Sequence, residues 1–98
     1  MKNQEGIDAI FSFPAGTIAK LRSGNINVEK LKAAILEKLI YDTWGFCRRL
    51  GVKEVYVGQV YIDLISTAIS KGIQASIESP REYTVGDKEI IRVRRLQL

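Results

Sequence analysis

The chain has 98 residues, of which 46% are hydrophobic, and its formal net charge is +4. This length predicts one domain, and the hydrophobic content argues against intrinsic disorder. No apolar run approaches the roughly 20 residues of a membrane-spanning helix, and the N-terminal residues lack the pattern of a secretory signal peptide. We therefore expect a protein of the cytoplasm that is neither secreted nor attached to a membrane.

The sequence lacks the side chains on which most catalytic and metal sites are built. It contains no histidine, the commonest general base and metal ligand, and only one cysteine, Cys47. A single cysteine forms no internal disulfide, and without a histidine partner Cys47 is expected to be a buried structural residue. The carboxylates are scattered on predicted polar faces. The sequence therefore predicts a protein that is not an enzyme and that needs no metal or cofactor.

The first 25 residues predict an entry segment to the domain. Residues 7–13 form a mainly apolar run that predicts an extended segment, with the apolar residues Ile7, Ala9, Ile10, Phe11 and Phe13. Pro14 suits the first turn of a short helix over residues 15–22, and Gly24 is expected to end that helix. Residues 26–98 are then expected to form the core of the same single domain.

The main helix is predicted from Asn27 to Gly51. Asn27 is a favourable N-cap, Glu29 lies near the positive end of the helix dipole, and Gly51 ends the pattern. Helical spacing places one group of apolar residues on the core side, namely Val28, Leu31, Ile35, Leu39, Phe46 and Leu50.

The second half of the chain predicts alternating strands and helices. Residues 52–57 are a short β-prone run, residues 59–71 return to helical spacing, and Gly72 is expected to close that helix. Residues 73–77 alternate between apolar and polar side chains, as in a half-buried strand. Residues 82–85 and 88–93 flank Gly86 and Asp87, which predicts a hairpin with a type II′ turn and a positive φ at Gly86.

These elements predict an α+β fold. Two main helices pack on a small mixed or antiparallel sheet that includes a C-terminal β-hairpin. A domain of this size buries only about two-thirds of the surface that its unfolded chain exposes, so a partner subunit would add to its stability.

The leading functional hypothesis is a non-enzymatic structural or interaction protein that forms a homo-oligomer or a subunit of a larger assembly. It rests on the absence of catalytic chemistry and on a surplus of aromatic residues, which are enriched at interfaces. The same residues would otherwise fill the domain's own core. The candidate interface residues are Phe11, Phe13, Trp44, Tyr56 and Tyr61.

The alternative hypothesis is a small nucleic-acid-binding protein that uses a basic C-terminal β-ribbon. In a strand, Arg92 and Arg94 lie on one face, and Ile91, Val93 and Arg95 on the other. Arginine on an edge strand also protects it from aggregation, and no aromatic residue interleaves with these arginines. The candidate nucleic-acid contacts are Arg48, Arg49, Arg92, Arg94 and Arg95.

The order of elements after Asn27 carries a family resemblance. A long helix leads into GVKEVYVGQVYIDLI, and YTVGDKEIIRV follows later in the chain. This arrangement resembles the central domain of tailed-phage major capsid proteins and of related small phage proteins. The resemblance implies a small structural or accessory protein of a virion, because the chain is too short for a full capsid subunit. With this resemblance, the expected location is the cytoplasm or a virion. It assigns no functional residues.

Overall fold

A computed structural model describes residues 8–51 and 58–94, without the side chains of residues 43, 46 and 47. In chain order, the elements are strand β1, helices α1, α2 and α3, a 3-10 turn, and strands β2 and β3. Their bounds are β1 Asp8–Pro14, α1 Thr17–Ser23, α2 Val28–Arg49, α3 Gln59–Glu78, the 3-10 turn Pro80–Tyr83, β2 Thr84–Val85 and β3 Lys88–Arg94. The strand predicted over residues 52–57 lies outside the described residues.

The described strands form one antiparallel sheet in the order β1-β3-β2. β1 pairs with β3 from Asp8 opposite Arg94 to Pro14 opposite Lys88, and β2 pairs with the start of β3. The predicted α+β class, the extended segment at the start and the C-terminal hairpin are confirmed. Along β1 and the second half of β3, more exposed side chains alternate with more buried ones, as expected for a sheet that packs one face on the core.

The hairpin turn has the predicted backbone conformation at Gly86, whose φ is 62°. The strand predicted to begin at residue 82 begins only at Thr84, however, and that prediction was wrong by two residues. Pro80 starts the 3-10 turn instead, because its fixed φ suits the first position of such a turn. The Thr84 hydroxyl donates a hydrogen bond of 2.7 Å to the Pro80 carbonyl and fastens the turn to β2.

α1 begins later than the sequence predicts. Pro14 ends β1 rather than opening the helix, and Gly16, with a φ of 93°, turns the chain into α1. The exposed N–H groups at a helix start need acceptors. One acceptor comes from β3, because the Glu89 carboxylate accepts a hydrogen bond of 2.6 Å from the backbone N–H of Ile18. This contact joins α1 to the sheet.

α2 begins as predicted. The side-chain oxygen of Asn27 accepts hydrogen bonds from the backbone N–H groups of Glu29 at 2.9 Å and Lys30 at 3.2 Å. Ile35 and Leu39 are buried in the core, as the helical spacing predicts. Leu50, which the same spacing placed on the core side, is 67% exposed, so that part of the prediction was wrong. α2 ends at Arg49, so Leu50 lies beyond the helix and helical spacing no longer applies to it.

α3 is longer than predicted and replaces the strand expected over residues 73–77. The helix continues through Gly72 to Glu78 and buries Ile65, Ile69 and Ile73 on one face. Ile73 and Ile77 are four residues apart, so they satisfy helical spacing as well as the alternation of a strand, and in the structure this segment is helical. Gly72 does not end the helix. A Cβ there would collide with the carbonyl oxygen of Arg92, so glycine allows α3 to lie directly on the β3 backbone.

The core lies between the helices and the inner face of the sheet. Ala9, Phe11 and Phe13 of β1 are half-buried and pack against it from one side. Ile91 and Val93 are almost fully buried, which confirms the predicted division of β3 into an apolar face and an arginine face. Among the described residues, the buried members of the core cluster are Leu21, Ile35, Leu39, Ile65, Ile69, Ile73, Ile91 and Val93.

Candidate interaction surfaces

α2 carries a second apolar stripe that is exposed at the surface of the described structure. In the part of the helix that follows Leu39, none of the described side chains is buried. Tyr41 is 66% exposed and Trp44 is 36% exposed, although both are large and apolar. We call this stripe the α2 outer surface. It surrounds an open depression of about 400 Å³, lined by Ala33, Leu36, Glu37, Ile40, Tyr41 and Trp44.

The aromatic residues of the α2 outer surface are held in an ordered group. The rings of Tyr41 and Trp44 lie 6.3 Å apart between centroids and are inclined at 47° to each other. The Arg48 guanidinium carbon lies 4.6 Å from the centroid of the Trp44 ring, within the range of a cation–π contact. Arg48, predicted as a nucleic-acid contact, therefore packs on the predicted interface residue Trp44. Arg49 is exposed in the same last turn of α2.

The other predicted interface residues lie elsewhere. Phe11 and Phe13 are half-buried on the inner face of β1, and Tyr61 is half-buried at the start of α3. All three pack against the core cluster. Tyr56 lies outside the described residues. Phe11, Phe13 and Tyr61 are half-buried on β1 and α3, whereas Trp44 is exposed on α2, so their role at an interface stays a prediction.

A second concave surface lies where α3 crosses β3. We call it the α3–β3 groove. It has a volume of about 540 Å³ and is lined by Leu64, Thr67, Ala68, Lys71, Gly72, Ala75, Tyr83, Arg92 and Arg94. Two of the predicted nucleic-acid contacts, Arg92 and Arg94, thus line the same groove as Lys71 of α3 and Tyr83 of the 3-10 turn. Arg95, the third predicted arginine of this strand, lies outside the described residues.

The floor of the groove is formed by close packing of small residues of α3 on the β3 backbone. The buried Ser76 hydroxyl lies 3.1 Å from both the Gly72 carbonyl and the Ile90 carbonyl, to either of which it donates. Gly72, one turn earlier, packs against the Arg92 carbonyl. These contacts hold α3 along the part of β3 that follows its short pairing with β2.

The cations of the groove differ in their surroundings. The Arg92 Nε atom forms an ion pair of 3.2 Å with Asp8 across the strand pair. Neither Lys71 nor Arg94 has an ion pair within the described part of the chain. The carboxylate that neutralises Arg92 is therefore Asp8, while Glu89, the nearer carboxylate in sequence, is engaged at the start of α1.

Sequence reasoning missed Lys71 and Tyr83 as groove residues. It ended the second helix at Gly72 and placed Tyr83 in a strand, so neither residue was expected to meet the arginines of β3. The signal in the sequence was the small pair Gly72 and Ser76, one helical turn apart, which permits a helix to approach a backbone closely. That signal becomes readable only once the helix is known to continue through it.

Within residues 8–51 and 58–94, no group of three or more cysteine and acidic side chains is arranged to hold a metal ion. None of the helices in this part of the chain is long and apolar enough to cross a membrane. Comparison with known proteins adds no assignment: no protein-family model, no curated protein and no solved structure matches the chain.

Proposed function

We propose that this chain is a non-enzymatic structural protein that assembles with a second copy of itself through the α2 outer surface. The observation that carries the proposal is the exposed group of Tyr41, Trp44 and Arg48 beside an apolar depression. Tryptophan, tyrosine and arginine are the residues most enriched among those that dominate binding energy at interfaces. Contiguous exposed apolar surface on a small protein is typical of an interaction site.

Charge on the flank of the α2 outer surface favours a second copy in antiparallel orientation. Glu37 and Arg48 lie only about 20° apart around the helix axis, given 3.6 residues per turn. A two-fold axis that crosses α2 between residues 42 and 43 therefore brings Glu37 of each copy opposite Arg48 of the other. The antiparallel arrangement also opposes the two helix dipoles favourably. A parallel pair would instead place like charges beside each other.

The same axis matches the aromatic residues. Tyr41 and Trp44 lie at equal heights on either side of it, so Tyr41 of each copy faces Trp44 of the other. Such a contact is isologous, in that one surface patch binds itself and the assembly closes. The two domain cores lie toward the N-terminal ends of the paired helices, away from the axis, because the buried residues Ile35 and Leu39 precede it.

Sedimentation velocity at micromolar concentration tests the proposal. We expect a species larger than the 11.0 kDa chain. Trp44→Ala should weaken the dimer by roughly 30-fold, the effect of losing a dominant interface residue. Val60→Ala removes another exposed apolar side chain, on α3, and should leave the dimer unchanged.

Charge reversal tests the orientation of the two helices. Glu37→Arg and Arg48→Glu should each weaken the dimer several-fold, and the double variant should restore it, because the ion pair re-forms with the charges exchanged. Lys88→Glu makes the same charge change as Arg48→Glu at an exposed position of the hairpin and should have no effect. A monomer at all concentrations, or a dimer indifferent to Trp44 and to the charge pair, would contradict the proposal.

The resemblance to phage structural proteins fits a self-assembling subunit of a virion, and it rests on the order of elements alone. It remains a prediction, separate from the α2 contact. Detection of the protein in purified particles by mass spectrometry would test it.

A further inference from the structure

The α3–β3 groove combines two kinds of surface within one concavity. One part is cationic: Lys71 from α3 and Arg94 from β3 are both exposed. The other part is apolar, with the half-buried side chains of Leu64, Ala68 and Ala75. Tyr83 stands in the wall, half-buried. The volume of about 540 Å³ lies within the roughly 300–1,000 Å³ of sites that bind small ligands.

The electrostatics of the groove favour an anion. Among the described residues that line it, none carries a carboxylate. Lys71 and Arg94 have no ion pair with any described residue, and Arg92 is the only groove cation that a described carboxylate neutralises. The net charge of +4 on the whole chain adds to the same potential. A phosphate group is a fitting anion, because lysine and arginine both bind its oxygens well.

Tyr83 narrows the class of phosphate ligand. A tyrosine ring beside small apolar side chains offers a flat surface for an aromatic ring, and bases of single-stranded nucleic acid stack on such side chains regardless of sequence. In a duplex the base faces are stacked on their neighbours and do not reach a side chain inside a groove. The pairing of cations with one aromatic wall is therefore selective for an unpaired nucleotide.

We propose that the α3–β3 groove binds one nucleotide unit of a single-stranded nucleic acid, with Lys71 and Arg94 on the phosphate and Tyr83 against the base. Arg92 stays paired with Asp8 and does not contact the phosphate. The same chemistry would accept a free nucleotide, so the ligand source is left to the experiment. The proposal does not rest on the α2 dimer.

Fluorescence anisotropy with a labelled oligothymidylate measures the binding. We expect the affinity to fall as salt rises from about 50 to about 200 mM, because each neutralised phosphate releases counterions. The double variant Lys71→Gln/Arg94→Gln should reduce the slope of log affinity against log salt by about 0.7, the single-strand value for the one phosphate that both cations contact, and each single variant should remove part of that slope. Tyr83→Leu should weaken binding roughly 10-fold and leave the slope unchanged, because stacking releases no counterions.

Matched controls separate the groove from general positive charge. Arg81→Gln removes an exposed cation of the 3-10 turn that does not line the groove, and it should leave the slope unchanged, as should the pair Arg48→Gln and Arg49→Gln. Trp44→Ala should keep full binding, so failure of the α2 dimer and failure of this proposal are distinguishable. Competition by thymidine monophosphate that is lost in Lys71→Gln would support the groove and identify a free nucleotide as its ligand.

Three results would overturn the proposal. These are the absence of binding to the oligonucleotide at low ionic strength, duplex binding as tight as single-strand binding, and equal losses in the groove variants and the Arg81→Gln control. Circular dichroism of each variant checks that the fold is intact. Lys71 and Arg94 are exposed, so their substitution should not disturb the core.

Discussion

The two long helices differ in how much of their apolar surface the domain itself uses. α3 buries Ile65, Ile69 and Ile73 and lays Gly72 and Ser76 against the β3 backbone, so its inward face is fully engaged. α2 buries Ile35 and Leu39 but keeps a second apolar stripe at the surface. The periodicity of apolar residues finds both helices, yet it does not show which apolar face a domain leaves uncovered.

Residue size accounts for the difference. Glycine and serine on α3 allow the helix to reach the strand backbone, and the Ser76 hydroxyl satisfies a carbonyl at the edge of β3 that β2 does not pair. On the α2 outer surface the residues are large, and Tyr41 and Trp44 remain 66% and 36% exposed. Small residues thus allow α3 to pack closely on β3, whereas the large residues of the α2 outer surface stay exposed.

The largest effect should come from the buried face of α2. Leu39 is 3% exposed, so Leu39→Ala should lower the free energy of unfolding by about 2–5 kcal/mol through lost burial and an unfilled cavity. Leu50→Ala, at the exposed end of the same predicted stripe, should change it by less than about 0.5 kcal/mol. Urea denaturation of both variants measures the contrast. Similar losses at the two positions would mean that the core stripe continues to the end of α2.

A glycine in each helix gives the second contrast, with opposite signs. Gly72→Ala places a Cβ against the Arg92 carbonyl, which is backbone and cannot turn away, so we expect a loss of about 1–3 kcal/mol. Gly45→Ala on α2 meets no atom within 4 Å, and the better helix propensity of alanine should stabilise the protein by about 0.5–1 kcal/mol. Thermal and urea denaturation measure both. A stabilised Gly72→Ala protein would contradict the close approach of α3 to β3.

Much of the fold could be predicted because local chemistry and tertiary packing agree there. The N-cap at Asn27, the buried Ile35 and Leu39, and the positive φ at Gly86 each follow from a local rule that the structure obeys. The alternation of Ile91 and Val93 with Arg92 and Arg94 likewise fixed the two faces of β3, because a strand has no other way to separate them.

The errors arose where a local signal had two meanings. Gly72 is typical of a helix end, but here tertiary packing against β3 requires it inside the helix, and that contact cannot be read from neighbouring residues. Because the helix was expected to end at Gly72, Lys71 was not expected to line the α3–β3 groove. The arginines of β3 were identified correctly as a basic group, while their aromatic neighbour Tyr83 depends on the turn that Pro80 imposes. A site whose residues come from several elements can be predicted only when the packing of those elements is known, and local sequence patterns do not give that packing.

The smallest expected effect concerns the residues that precede α2 and α3, of which only the first caps its helix. Asn27 caps α2 through its side chain, whereas Gly58 precedes α3 with no side-chain cap and no acidic residue follows in the first turn. Gly58 has a φ of −75° and a ψ of 158°, an extended conformation that any residue adopts, and a Cβ there meets no atom within 4 Å. Gly58→Asn should therefore stabilise the protein by a few tenths of a kcal/mol, up to about 0.5 kcal/mol, by accepting a hydrogen bond from a free N–H of the first turn.

Differential scanning calorimetry is sensitive enough to detect the rise in Tm, and Gly58→Ala, which lacks the acceptor, is the matched control. An equal rise in both variants would assign the effect to the unfolded chain, which loses freedom with any replacement of glycine, and would remove the cap from the explanation.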